Sequence, residues 1–240
     1  MKLTASAALS QEQKRQAKEL ASLCRSHDGS SLSFPLEDGE FFVLICEENV
    51  LACALGFCRM EPHLLEISAF TRPEFRRQGL FSRALACGES YFPDDDFSFV
   101  SDGKCPAAAF VLRKLNARLW YREHMMRLDF ADWQTPVCLL PPPFSMEETG
   151  DGFTAWIGGK EAGVCFVSPM SGVSYFYGFK IYTPFRGKGY GKAFFLQVLK
   201  CLREESPAVL LQVSDDNAVA LRLYEKTGFR ITETLSYYLY

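Results

Sequence analysis

The chain has 240 residues, 48% hydrophobic and 23% charged, with a net charge of −3, a balance that excludes a disordered chain and supports one large or two small domains with a full core. Lys and Arg form no stripe, and neither the nine singly placed Cys nor His27, His63 and His124 show ligand spacing, so no nucleic-acid partner and no metal is expected. Unpaired thiols in apolar contexts, a poor signal core at the N-terminus and no run near the roughly 20 apolar residues of a membrane span predict a cytoplasmic protein without a membrane partner.

Ser10 with Gln13 three residues on predicts a capped helix start, and Ala17, Leu20, Ala21 and Cys24 recur at helical spacing to about Cys24. Strands are predicted over Phe41–Ile45, Leu51–Met60 and Leu64–Phe70. Short turns join them, which makes an antiparallel meander. The turn carrying Arg76 and Gly79 leads into a helix to about Tyr91. A strand at Phe97–Ser101, a helix at Ala107–Leu115 and a long strand at Arg118–Phe130 follow. Residues 132–152, rich in Pro and Gly, read as a linker with a short strand at Val137–Leu140. Strands come next at Phe153–Ile157, Ala162–Ser168 and Val173–Tyr182. The turn Arg186–Gly191 then opens a helix to about Glu204, before a strand at Val209–Ser214, a helix at Ala218–Lys226 and a strand at Phe229–Tyr240.

The same order of elements therefore occurs twice. Arg76 and Gly79 align with Arg186 and Gly189, and Leu112–Arg118 aligns with Tyr224–Arg230. A repeat this long predicts domain duplication. The expected fold class is α/β (α+β), with two tandem units of mixed, mostly antiparallel sheet flanked by helices. The expected boundaries are 1–131, a linker at 132–152, and 153–240.

Glycines at 187, 189 and 191 let backbone N–H groups approach a bulky anion at a helix N-terminus. Arg186, Lys188 and Lys192 add positive charge, so the segment predicts a pyrophosphate cradle. This segment resembles the acetyl-CoA motif of the GNAT (GCN5-related N-acetyltransferase) superfamily, Arg/Gln-x-x-Gly-x-Gly/Ala. Asn217 to Phe229 resembles a second signature of that family, with Asn217, Ala220, Tyr224, Gly228 and Phe229 in place.

The resemblance implies an N-acetyltransferase that moves an acetyl group from acetyl-CoA to a primary amine of a small molecule or peptide by direct attack, acting as a monomer or homodimer. It implies that the amides of Arg186, Gly187, Lys188, Gly189, Tyr190, Gly191 and Lys192 hold the pyrophosphate. Phe179, Ile181 and Tyr182 would line the pantetheine arm, Asn217 would bond to it, and Tyr224 would protonate the departing thiolate. A phenol suits that task, because it keeps its proton at neutral pH. Two other readings are a non-catalytic acyl-CoA-binding module and an acyltransferase with a longer acyl donor.

The first half departs from the pattern. Phe81 stands at the last glycine, where a side chain could crowd a diphosphate, although the backbone amides could still point correctly. Cys105 replaces the asparagine, Leu112 the tyrosine, and Asn116-Ala117 the Gly-Phe pair. The first half thus reads as a degenerate repeat. The second half has little room for helices on its acceptor side, so acceptor recognition is expected to borrow surface from the first half or the linker. The base is left unassigned among Glu66, water reached through Tyr175 or Tyr177, and Asp215 or Asp216.

Overall fold

The computed structural model describes residues 1–136 and 143–240, so the strand expected at Val137–Leu140 lies outside the described residues. Contacts gather into two compact units: Met1–Arg122 with Leu235–Tyr240, and Glu123–Thr234. These limits differ from the expected 131 and 153. The reason is strand pairing. The long strand β6 (Arg118–Asp129) gives its second half to the second unit, and the last strand, β12 (Arg230–Leu239), gives its end to the first.

The first unit contains β1 (Lys2–Ser6), α1 (Gln11–Asp28), β2 (Phe41–Glu47), β3 (Val50–Glu61), β4 (Leu64–Thr71), α2 (Leu80–Tyr91), β5 (Asp96–Ser101) and α3 (Pro106–Lys114). Its strand order is β1-β2-β3-β4-β5-β12, and only β4 and β5 run parallel. β1 is an edge strand that the sequence pattern did not mark. Its five residues pair with β2 from Lys2↔Cys46 to Ser6↔Phe42. β2 is apolar at nearly every position because both of its faces are covered. Phe41, Val43 and Ile45 enter a core with Leu80, Ala84 and Leu85 of α2, and Phe42 and Leu44 enter another with Ala17, Leu20, Ala21 and Cys24 of α1.

α1 starts as expected: Ser10 Oγ accepts from the Gln13 N–H at 3.2 Å, and Gln13 Oε1 accepts from the Ser10 N–H at 2.8 Å. It runs one turn beyond Cys24, to Gly29, whose φ of 70° ends it. That turn carries Asp28, whose carboxylate accepts two hydrogen bonds from Arg76 Nη1 and Nη2 at 2.8 and 2.6 Å.

The second unit holds the second half of β6 with β7 (Phe144–Thr149), β8 (Gly152–Ile157), β9 (Lys160–Met170), β10 (Val173–Ile181), α4 (Tyr190–Glu205), β11 (Ala208–Ser214) and α5 (Ala218–Lys226). Its order is β6-β11-β10-β9-β8-β7, with β10 and β11 parallel. β7 occupies part of the expected linker and pairs with β8 from Phe144↔Ile157 to Thr149↔Gly152. One core fills this unit: Phe153, Cys165, Phe176, Val209, Leu211 and Val213 of the strands meet Phe194, Phe195 and Leu199 of α4 and Tyr224 of α5. Phe166, Tyr175, Tyr177 and Gln212 alternate to the other face of the sheet, away from both helices.

Two stability measurements check this packing. Gly88 lies in α2 with the Phe57 ring against it, so that an added Cβ would sit 2.3 Å from Phe57 Cζ in a fully buried ring. Gly88→Ala is therefore expected to lower the unfolding free energy measured by urea denaturation by about 1–3 kcal/mol, although alanine in a helix ordinarily gains about 1 kcal/mol. Arg76 hydrogen bonding holds the Asp28 carboxyl down, from 3.8 to about 2, against the opposing effect of burial. A carboxyl lowered on folding stabilises above its unfolded pKa and loses that contribution as pH falls through the folded one. Wild type should therefore exceed Asp28→Asn by about 2 kcal/mol in urea unfolding at neutral pH, with the gap closing between about pH 4 and pH 2.

Candidate active site

The turn after β10 is built by backbone conformation. A short 3-10 turn (Thr183–Phe185) is followed by Arg186 in extended conformation, Gly187 at φ 73° and Gly189 at φ 84°. A Cβ at either glycine would meet nothing within 4 Å, so it is the left-handed φ, and not space, that favours glycine there. Gly189 is the N-cap of α4 and offers no side chain to the first-turn N–H groups, which leaves them available to an anion. Arg186, Lys188 and Lys192 are all exposed around it. Lys188 Nζ donates to Pro184 O at 2.9 Å, and Arg186 Nε donates to Ile181 O at 2.7 Å.

Upstream of this turn the sheet opens. β10 and β11 pair only at Ser174↔Val209, Tyr175↔Leu210 and Phe176↔Leu211, yet β10 continues to Ile181 and β11 to Ser214. The cause is a bulge. The β9–β10 ladder shifts between Tyr177 and Lys180, where Gly178 adopts φ 62° and lies against the Phe166 ring, with room for no Cβ (2.6 Å from Phe166 Cδ2). Beyond the bulge Phe179 turns inward, with its ring 5.6 Å from Phe176 and 5.7 Å from Phe195. Ile181 also packs on this core, and Gly191 sits beneath it. Tyr182 is anchored on β9, its hydroxyl donating to Glu161 Oε1 at 2.7 Å.

Tyr224 is 6% exposed, its ring 5.1 Å from Phe195 and 5.9 Å from Phe229. Burial, with the nearby Cys165 thiol, pushes its hydroxyl up to about 12, and among the described residues no hydrogen bond engages that hydroxyl. It therefore keeps its proton at neutral pH. Asn217 begins α5, its Oδ1 accepting from the Ala220 N–H at 3.2 Å. That bond leaves the side-chain NH2 group available, so the cap role and a ligand role coexist.

The first unit repeats this backbone. Arg76 and Arg186 have φ/ψ of −68°/159° and −69°/157°, and Gly79 and Gly189 have 78°/5° and 84°/−9°. Arg76 Nε donates to Thr71 O, also five residues upstream, at 3.0 Å. The Ala117 N–H donates to Leu112 O at 3.0 Å, as the Phe229 N–H donates to Tyr224 O at 3.0 Å. The side chains differ. Leu112 is core, and Cys105 gives its helix no side-chain cap. The Phe81 ring packs inward, 6.1 Å from Phe99, because the first turn of α2 needs an apolar residue on the core.

Of the base candidates, Glu66 lies in the first unit between Cys58 and Ser98 in register, and Asp215 and Asp216 lie in the turn after β11. Tyr175 and Tyr177 share the helix-free face of the second sheet, beside the opening. Sequence reading passed over Glu123 and Gln212 on that same face. Glu123 belongs to β6, and nothing local signals that β6 pairs with β11. A cavity of about 350 Å³ lined by Glu148, Asp151, Ser174 and Glu205 lies at the start of β10, at the other end from the turn. Among the described residues no group of three or more His, Cys, Asp or Glu is placed to hold a metal ion, and no helix is long and apolar enough to cross a membrane.

Comparison with solved structures shows the same fold at low identity. A GCN5-related N-acetyltransferase from Sphaerobacter thermophilus superposes with a TM-score of 0.78 at 16% identity, over 99% of this chain and 95% of that one. A tandem GNAT protein from the clavulanic acid biosynthesis pathway superposes with a TM-score of 0.75 at 13% identity, over 100% and 98%. A GNAT-family acetyltransferase from Colwellia psychrerythraea superposes at 0.61 and 11% identity, with both chains covered in full. No curated protein sequence matches significantly. The profile of the acetyltransferase (GNAT) family matches residues 109–229, half of the chain, including the cradle turn, Asn217 and Tyr224. With that match laid over the opened strand pair, the chain belongs to the GNAT acetyltransferase family and is an acyltransferase.

Proposed function

We propose that the second unit transfers an acetyl group from acetyl-CoA to a primary amine of a small molecule or peptide by direct attack. The observation that carries this reading is the separation of β10 from β11 after Phe176/Leu211, which ends at the uncapped N-terminus of α4. A linear acyl-thioester arm with a pyrophosphate at one end matches a strand-wide opening with an anion cradle at one end.

In this reading the amides of Arg186–Lys192 take the pyrophosphate, assisted by the positive end of α4. The edge of Phe179–Tyr182, freed from β11, takes the amide groups of the pantetheine arm as an added strand. Asn217 donates its free NH2 to the arm. As the amine nitrogen, attacking in its neutral form, bonds to the acyl carbon and the carbon–sulfur bond breaks, Tyr224 donates its proton to the sulfur; the nitrogen releases one proton to water and Tyr224 takes one back from water, so the products are the amide and the free CoA thiol. Its raised pKa keeps the donor protonated across the working pH range. No metal takes part in these steps. The first unit supports the fold: its cradle keeps its shape, but Arg76 is committed to Asp28, whose carboxylate sets a negative charge beside the turn. The chain works in the cytoplasm, where acetyl-CoA is available, as a monomer or homodimer.

The test is thiol release from acetyl-CoA across a panel of primary amines. Tyr224→Phe is expected to lower kcat by about 100-fold with KM for acetyl-CoA within about two-fold, since the lost group acts on the leaving sulfur and not on binding. Unchanged turnover in that variant would remove Tyr224 from the mechanism. Calorimetric titration with CoA should give one site per chain, and two equivalent sites would show that the first unit also binds the donor.

A further inference from the structure

Tyr224 sits where its helix has least hold on it. α5 is nine residues long, Tyr224 is its only buried residue, and it lies two residues from the helix end at Lys226. Helices this short are marginal by themselves, and their ends fray. No hydrogen bond engages the Tyr224 hydroxyl among the described residues, so its direction depends on where the backbone holds the ring.

That end of α5 is tied from outside. The chain leaves β6 through a 3-10 turn (Phe130–Asp132), and Trp133 then enters the core, 7% exposed. Trp133 Nε1 donates to Thr227 O at 2.8 Å in a buried bond. The two groups satisfy each other: a carbonyl at a helix end has no partner inside the helix, and a buried indole N–H needs an acceptor. Thr227 is itself buried, and its Oγ1 donates to Tyr224 O at 2.8 Å, with Leu223 O sharing the proton at 3.0 Å. Trp133 is held in turn by the Phe130 ring at 5.4 Å and by the Arg203 guanidinium of α4, 5.9 Å from its ring centre. Gly228 lies against the indole, where an added Cβ would sit 3.3 Å from Trp133 Cδ1.

The first unit supplies the comparison. Its turn after α3 closes on the same backbone bond, from the Ala117 N–H to Leu112 O, yet Leu115 stands in the place of Thr227 and has no hydroxyl to donate. The turn therefore forms without that bond, and the threonine hydroxyl is an addition in the unit that carries the phenol. We infer that Trp133 and Thr227 are positioning residues for Tyr224. Trp133 holds the Thr227 carbonyl, Thr227 holds the Tyr224 carbonyl, and the phenol is thereby kept in one orientation toward the leaving sulfur. The inference rests on the acyl-transfer reading for the task of that hydroxyl, but the restraint is measurable without turnover.

Trp133→Phe keeps an aromatic ring and removes the N–H; Thr227→Val keeps the shape and removes the hydroxyl. In thiol release from acetyl-CoA, each is expected to lower kcat about tenfold with KM for acetyl-CoA within about twofold, since a misplaced acid slows the chemical step without weakening the donor. Thr227→Ser retains the hydroxyl and should stay within about twofold of wild type. The melting temperature of each variant, expected to fall by only about 2–4 °C, is the fold control. In a Tyr224→Phe background Trp133→Phe should cost nothing further. A residue that serves the fold alone would cost the same factor in both backgrounds or act on KM, and either result would overturn the inference. The restraint is read directly by fluorine NMR of the full chain made with 3-fluorotyrosine, the Tyr224 resonance being identified by its loss in Tyr224→Phe. Trp133→Phe should broaden or split that resonance, and an unchanged one sinks the inference. The two readings part cleanly. Unchanged turnover in Tyr224→Phe with a Trp133-sensitive resonance removes the acid and leaves the restraint standing; slow turnover in Tyr224→Phe with a resonance indifferent to Trp133→Phe keeps the acid and removes the restraint.

Discussion

A single glycine in a strand governs the second unit. At Gly178 the β10 backbone takes a left-handed turn that a side chain would oppose twice, by its φ of 62° and by the Phe166 ring beneath it. The ladder to β9 slips there, and the pairing with β11 stops two residues earlier. The geometry of the end of β10 follows from that slip. Backbone groups of β10 lose their strand partner, the opening passes through the sheet, and the end of β10 is aimed into a turn whose own positive-φ glycines leave a helix N-terminus uncapped. Without the bulge, parallel pairing would run on and seal the sheet.

The two units show how a repeat keeps a backbone while changing its chemistry. In each, an arginine Nε bonds a carbonyl five residues upstream and a left-handed residue precedes the helix, so the turn is held by interactions that do not involve a ligand. That explains why the shape persists where the surrounding side chains differ. In the first unit the remaining guanidinium nitrogens meet Asp28, and the position of the phenol is core leucine. Among the described residues no ion pair engages Arg186, and the phenol is present. The difference between the units lies in a few side chains on a shared frame.

Much of this frame was legible in the sequence. The capping box at Ser10 and Gln13, the short turns between the meander strands, and the helices after each glycine turn are local patterns, set by spacing and by backbone preference within a few residues. The basic glycine turn was legible for the same reason: glycines, basic residues and a helix start sit within seven positions. Two elements escaped. β1 is short and carries no strong apolar pattern, and β7 lies in a Pro- and Gly-rich stretch; both become strands through pairing with β2 and β8.

Sequence by itself determined the order of elements, the duplication and the glycine turn that opens α4, because each is written in contiguous positions. Only the tertiary structure decided where the units divide, since that depends on β6 pairing with β11 and on Ser236–Leu239 pairing with β5, across separations of about a hundred residues that no local pattern encodes. It also decided the orientation of Phe81 toward its core. Last, it brought Glu123, Gln212 and Tyr175 into one hydrogen-bonded row: three polar side chains from three strands become neighbours only when register puts them on the same face.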